Sequence, residues 1–104
     1  MANTINWPGK SGKQYKYWIS QIGGGFKDEP GNYIYAKDTP TGWFPLYIGE
    51  TSSLKDRLAD HEKEPCAKQN GATHVHSHTE HGGEAIRRIE EEDLVEKWHP
   101  VCNG

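Results

Sequence analysis

The side chains with the most chemistry to offer are two tyrosines, Tyr33 and Tyr47, followed by Arg57 and His61. A guanidinium is planar and permanently charged, so Arg57 is suited to gripping a phosphate through two hydrogen bonds, and a lysine would replace it poorly. A phenol ionises at about 10 and is a weak base at neutral pH unless nearby cations lower it, while an imidazole titrates at about 6.5. This set suits phosphodiester hydrolysis, which needs a nucleophilic water, stabilised phosphoryl oxygens and help for the leaving oxygen.

The elements that must position these groups follow from periodicity. Leu46-Tyr47-Ile48 ends in Gly49 and reads as a buried strand meeting a tight turn, and Leu54 to His61 reads as the helix leaving it. Ser52 or Ser53 caps that helix, Arg57 and His61 share its face four residues apart, and it ends before Pro65. Asn32 to Lys37 forms a strand that turns at Pro40-Thr41-Gly42 and returns through Trp43 to Ile48, a hairpin setting Tyr33 beside Tyr47. Gln14 to Ile19 alternates as an N-terminal edge strand, with Tyr15, Tyr17 and Ile19 on one face. Thr73 to His78 is a further strand. Gly82-Gly83 opens a helix whose apolar positions are Ala85, Ile86, Ile89, Leu94, Val95 and Trp98, and Pro100 stops it.

Composition frames this as one domain over residues 1–104, with four Trp and five Tyr pointing to an aromatic-rich core. The formal charge is −3, with seven Lys/Arg against six Asp/Glu in residues 1–60 and five against nine in 61–104, so bulk charge does not advertise nucleic-acid binding. No signal-like or membrane-length apolar run is present, which makes a cytoplasmic protein the expectation. Cys66 and Cys102, without a CxxC, read as reduced packing thiols. Gly9-Lys10-Ser11-Gly12-Lys13 lacks the spacing of a phosphate loop and any preceding strand, which argues against a nucleotide cofactor.

In order and register these residues resemble the GIY-YIG nucleases over about Gly31 to Asn103. Gly31-Asn32-Tyr33 stands for the first motif, with Asn32 in a usually aliphatic place, and Tyr47-Ile48-Gly49 is the second. Arg57 lies eight residues after Gly49, and His61 follows four later. Glu91, Leu94-Val95, Pro100 and Asn103 match the terminal pattern, with Glu91 and Asn103 twelve apart, a spacing that neither Glu90 nor Glu92 keeps.

The resemblance implies an α+β fold, a short central antiparallel sheet flanked by helices, with the core in 31–103 and an extra N-terminal strand and loop in 1–30. It implies a metal-dependent DNA endonuclease in which Glu91 binds one Mg²⁺ or Mn²⁺, since a hard cation that keeps most of its waters needs only one or two carboxylates. One of Tyr33 and Tyr47 then accepts or relays the water's proton with His61 assisting, Arg57 grips the phosphate, and Gly31, Gly49 and Asn103 support the site. The expected partner is DNA, with a protein partner for targeting as a further candidate and no membrane.

Three other readings compete. Lys10, Lys13 and Lys16, beside Tyr15 and Trp18, are candidate nucleic-acid contacts. His74, His76 and His78 alternate onto one strand face as a zinc site would require. A straight row of three cannot converge on one ion unless another element, such as His81 or Cys66, bends in. The scaffold also suits a non-catalytic nucleic-acid or protein-binding module.

Overall fold

The computed structural model describes residues 3–104. Five strands, β1 (Thr4–Pro8), β2 (Gln14–Gln21), β3 (Gly31–Thr39), β4 (Gly42–Thr51) and β5 (His74–Thr79), form one antiparallel sheet in the order β1-β2-β5-β3-β4. Three helices, α1 (Leu54–Ala59), α2 (Glu64–Gln69) and α3 (Glu84–Trp98), cover it. The fold class is the expected α+β one, with two differences at the N-terminus. The N-terminal addition is a hairpin rather than a single strand, so β1 is the edge, and the Gln14–Ile19 segment lies inside the sheet between β1 and β5. Gly9 to Lys13 is its turn, where Gly12 takes φ +91°.

β3 lies inside the sheet between β5 and β4, and its alternation sorts the core into two layers. Tyr33 and Tyr35 point to one face with Leu46, Leu54, Leu58, Ala67 and Val75, under α1 and α2. Ile34 and Ala36 point to the other with Trp7, Tyr15, Tyr17, Ile48 and Leu94, under α3. Tyr15 and Tyr17 are therefore buried on one face of β2, as its period-two pattern predicts.

The helices depart most from the sequence reading. Ser53 caps α1, accepting the Asp56 N–H at 3.2 Å, but the helix ends at Ala59 and Asp60 turns the chain into an extended conformation. His61 thus lies beyond the helix, and it does not share a helical face with Arg57. A short α2 then starts with Pro65 in its first turn, where a missing N–H costs nothing.

α3 is rotated relative to its apolar pattern. Ile86 and Ile89 are 41% and 60% exposed, while Arg87, Glu90 and Leu94 are buried. The reason lies in the sheet below, where Glu50, Asn32 and His78 are cross-strand partners in one row on β4, β3 and β5. A polar row requires polar side chains above it. Arg87 Nε donates to Glu50 Oε1 at 3.0 Å, and Asn32 Nδ2 donates to the Arg87 carbonyl at 3.0 Å. Asn32 is thus fully buried under α3 rather than turned to solvent.

Cys66 and Cys102 form a disulfide with Cα atoms 6.0 Å apart, which corrects the expectation of reduced thiols. Two residues 36 positions apart are not paired by any local spacing rule, so only the tertiary fold reveals the bond. Among the described residues no helix is long and apolar enough to cross a membrane.

Candidate active site

His61 is the hub. Its ring is buried and ringed by Tyr33, Tyr35 and Tyr47, with centroids 5.3, 5.6 and 5.1 Å away. The Lys63 backbone N–H donates to its Nδ1 at 3.0 Å, which leaves the proton of the neutral ring on Nε2. Nε2 lies 2.6 Å from the Tyr33 hydroxyl oxygen and donates to it, so the Tyr33 O–H is free for another acceptor. Burial, and then the charge of Arg57, hold the imidazole down at about 4, so it is neutral at pH 7.

Tyr33 sits where it does because of two glycines. A Cβ on Gly49, its partner across the β3–β4 pair, would come within 2.5 Å of the Tyr33 ring and hydroxyl. A Cβ on Gly31 would strike the His78 carbonyl on β5, so that glycine lets β3 and β5 approach. Both predicted supporting glycines are required by packing rather than by backbone torsion.

Burial pushes the Tyr33 phenol well above its ordinary range, with Tyr47 adding to the shift and Arg57 opposing it. Tyr47 is pushed up by burial and then by the charge of Glu91, which places that carboxylate in electrostatic reach of the motif tyrosine. Tyr35, also raised by burial, donates to Glu64 Oε1 at 3.2 Å. It went unnoticed in the sequence, although its position two residues after Tyr33 puts it on the same face.

Arg57 is held by a residue that motif reasoning missed. Its Nη1 and Nη2 donate to Glu62 Oε2 and Oε1 at 2.6 and 2.7 Å, a two-pronged pair in the geometry a phosphate would take. This hydrogen bonding draws Glu62 down to about 2, so the pair stays ionised across the physiological range.

Glu91 lines an open recess with Glu92, Val95, Glu96 and Asn103. Burial raises its carboxyl, and the charge of Glu50 raises it further. A carboxylate beside solvent fits a hard divalent cation that keeps several waters, and Glu91 is such a group, whereas the Glu50 carboxylate is engaged by Arg87. Glu50, which follows Gly49 directly, is the second carboxylate that motif matching passed over. Asn103 closes this corner. Its Oδ1 accepts the Ile48 N–H and its Nδ2 donates to the Ile48 carbonyl, both at 2.8 Å, along the outer edge of β4.

The three lysines lie elsewhere. Lys10 pairs loosely with Glu96 at 3.9 Å on the β1–β2 turn, and Lys13 lies 5.6 Å above the Tyr15 ring. Tyr15 itself is buried and donates to Asp93 Oδ2 at 2.7 Å, so it offers no stacking surface. Lys16 lies 5.3 Å above the Trp18 ring, and Trp18 is 56% exposed in the cross-strand row that runs through Ser77 to Tyr33. The three-histidine zinc site does not assemble. His76 is fully buried, with Trp7 Nε1 donating to its Nδ1 at 3.0 Å, and His74 packs edge-on to Trp43.

No protein-family model matches the sequence, and no curated protein matches it. Solved structures do match. The GIY-YIG N-terminal endonuclease domain of UvrC from Thermotoga maritima, bound to magnesium as its catalytic divalent cation, is 26% identical with a TM-score of 0.61. The match covers 75% of this chain and 86% of that one. Two tyrosine-to-phenylalanine point mutants of the same domain, also cation-bound, match at 28% and 26% identity with the same coverage and TM-score. The architecture is therefore that of a nuclease domain. This likeness supports the GIY-YIG superfamily as the one the chain resembles.

Proposed function

We propose that this protein is a divalent-metal-dependent DNA endonuclease that hydrolyses phosphodiester bonds without a covalent intermediate. The observation that carries the reading is the hydrogen bond from His61 to Tyr33, made with the Tyr47 ring against His61 and the Arg57 charge acting on the Tyr33 phenol. Structural packing alone would be met by a phenylalanine at either tyrosine.

In this reading Mg²⁺, held by Glu91 with Glu50 beside it, supplies charge neutralisation at the phosphoryl and leaving oxygens; Mn²⁺ is the alternative ion. Tyr33, once its phenol has given its own proton to solvent, takes the proton from the attacking water as phenolate. The His61 Nε2–H and the Arg57 charge oppose the burial that keeps the phenol neutral, since donors to an anion favour the anion. Tyr47, which lacks the His61 bond and feels the Glu91 charge, orients rather than deprotonates. Arg57 leaves Glu62 for the scissile phosphate, because the two offer the same paired oxygens. Asn103 holds β4, and with it Tyr47, against the recess.

Trp18 with Lys16 extends the catalytic face and supports a path for flanking nucleotides, one stacking and one pairing with phosphate. Lys10 and Lys13 contribute at most to the far side. With a net charge of −3, binding to duplex is weak and steeply salt-dependent, which leaves target choice to DNA structure or to a protein partner. The expected cytoplasmic location is in tension with the disulfide, because cytosolic thiols are kept reduced.

The test is nicking of supercoiled plasmid and of branched DNA in Mg²⁺, Mn²⁺ or EDTA, with wild type, Glu91→Ala and Arg57→Ala side by side. Metal-dependent cutting that disappears in both variants supports the reading. Equal cutting by all three marks a contaminant. One observation favours a non-catalytic binding module instead, namely the closure of the Arg57 fork by Glu62. Binding of DNA by wild type with no cutting under any metal would select that reading.

A further inference from the structure

Consecutive residues of α3 serve opposite ends of the polar row. Glu91 lies by Glu50 and Tyr47, whereas Glu90 lies against His78 on β5. The His78 Nδ1 lies 2.7 Å from the Lys16 carbonyl oxygen and must carry a proton to donate to it, so in the neutral ring Nε2 bears a lone pair. That lone pair faces Glu90 Oε1 at 3.5 Å and Glu80 Oε1 at 3.9 Å. The Glu90 side chain is 8% exposed, and its Oε1 and His78 Nε2 are both buried without a hydrogen-bond partner.

We propose that His78, Glu80 and Glu90 form a second metal site that takes one Zn²⁺ through His78 Nε2 and one oxygen from each carboxylate. The donor atoms lie within 4.8 Å of one another. Tetrahedral ligands about 2.0–2.1 Å from zinc stand roughly 3.3 Å apart, so closing the separations by no more than about 1.5 Å completes the set and leaves a fourth position for water. Two of the ligands have the outer partners that metal ligands need. The Lys16 carbonyl fixes the His78 tautomer, and the Gly82 N–H, 2.9 Å from Glu80 Oε2, turns the other oxygen inward. The alternating histidines do hold zinc in this proposal, but through His78 alone, because the elements that bend in are the turn after β5 and α3. A nitrogen donor selects zinc over magnesium, whereas the Glu91 recess offers carboxylate oxygens. One helix therefore carries two sites of different hardness on neighbouring residues, and zinc ties the helix to β5 beside the catalytic carboxylate. This proposal does not depend on the nuclease reading.

The experiment uses the full chain stripped with chelator and titrated with Zn²⁺ against a chromophoric competitor, alongside thermal melts with and without Zn²⁺. Wild type and Glu91→Gln are expected to bind one Zn²⁺ per chain and to melt higher with it. Glu90→Gln and His78→Gln are expected to bind on the order of 100-fold more weakly and to lose the shift in Tm. Zinc-free melts of these two variants that match wild type show that they fold. The proposal is overturned if wild type takes up no stoichiometric zinc, if Glu90→Gln binds as tightly as wild type, or if only Glu91→Gln loses the ion. A tetrahedral visible spectrum with Co²⁺, absent in Glu90→Gln, gives a readout independent of stability.

Discussion

Each face of the sheet buries tyrosines around a histidine, but the two faces treat polar atoms differently. Under α1 and α2, Tyr33 meets His61 and Tyr35 meets Glu64. Under α3, Tyr17 Oη, Asn32 Oδ1, His76 Nε2, His78 Nε2 and Glu90 Oε1 are all buried without a partner. A buried polar atom left unmet costs about 1–3 kcal/mol, so the face under α3 carries a polar cost that the face under α1 and α2 avoids. The difference teaches that identical residue types, on opposite faces of one sheet, are specialised by what stands opposite them.

The sharpest way to break this contrast is to remove one hydroxyl from each face. Tyr33→Phe is expected to lower the single-turnover cleavage rate by about 10²–10⁴-fold while leaving the fold intact, whereas Tyr17→Phe leaves the rate unchanged. Equal rates in both variants would show that the His61 network is packing only. The rate should also climb as pH rises above neutral, because the Tyr33 phenol is held up by burial and must lose its proton.

Acid provides the next largest effect. His61 and His76 are both held at about 4 by burial, below the ordinary value of about 6.5. Between those values the unfolded chain binds protons that the folded chain refuses, so stability falls as pH drops through that window, by up to about 3 kcal/mol per ring. Melting temperatures recorded from pH 7 to 4.5 check this, and a flat profile would refute it.

Reducing the disulfide, or replacing both cysteines by alanine, should cost about 2–4 kcal/mol in urea denaturation, since the bond closes a 36-residue separation. The smallest effect separates two tyrosines within the α3 face. Tyr15→Phe loses its bond to Asp93 and should cost about 1 kcal/mol, while Tyr17→Phe removes an unpartnered hydroxyl and should be neutral or stabilising. A larger loss at Tyr17 would reveal a partner for its hydroxyl.

Strand positions and the residues that build the pocket were legible because period-two alternation and turn residues are local signals. Tyr33 and Tyr47 stand together as the hairpin read from alternation implies, whereas His61 reaches them from beyond α1 and not along a helical face shared with Arg57. What the sequence hid was set by distant partners. The end of α1 at Ala59, the α2 that begins at Glu64, the Glu62 clasp on Arg57 and the disulfide all depend on contacts between elements. The rotation of α3 is the clearest case. Its isoleucines mark the hydrophobic face by any periodic count, yet the row of Glu50, Asn32 and His78 turns Arg87 and Glu90 inward. An amphipathic pattern reports what a helix can bury, and the sheet decides which part of it does so.

The Asn103 side chain, lying across the outer rim of β4, has a consequence for self-association. β4 ends the sheet, and an unpaired rim of N–H and C=O groups invites the same strand of another molecule to add on. The amide engages both groups of Ile48, and the Cys102 N–H takes the Leu46 carbonyl, so the tail completes the ladder in the manner of a short sixth strand. Residues that hold β4 in place thereby also keep each molecule from templating its neighbour along this edge.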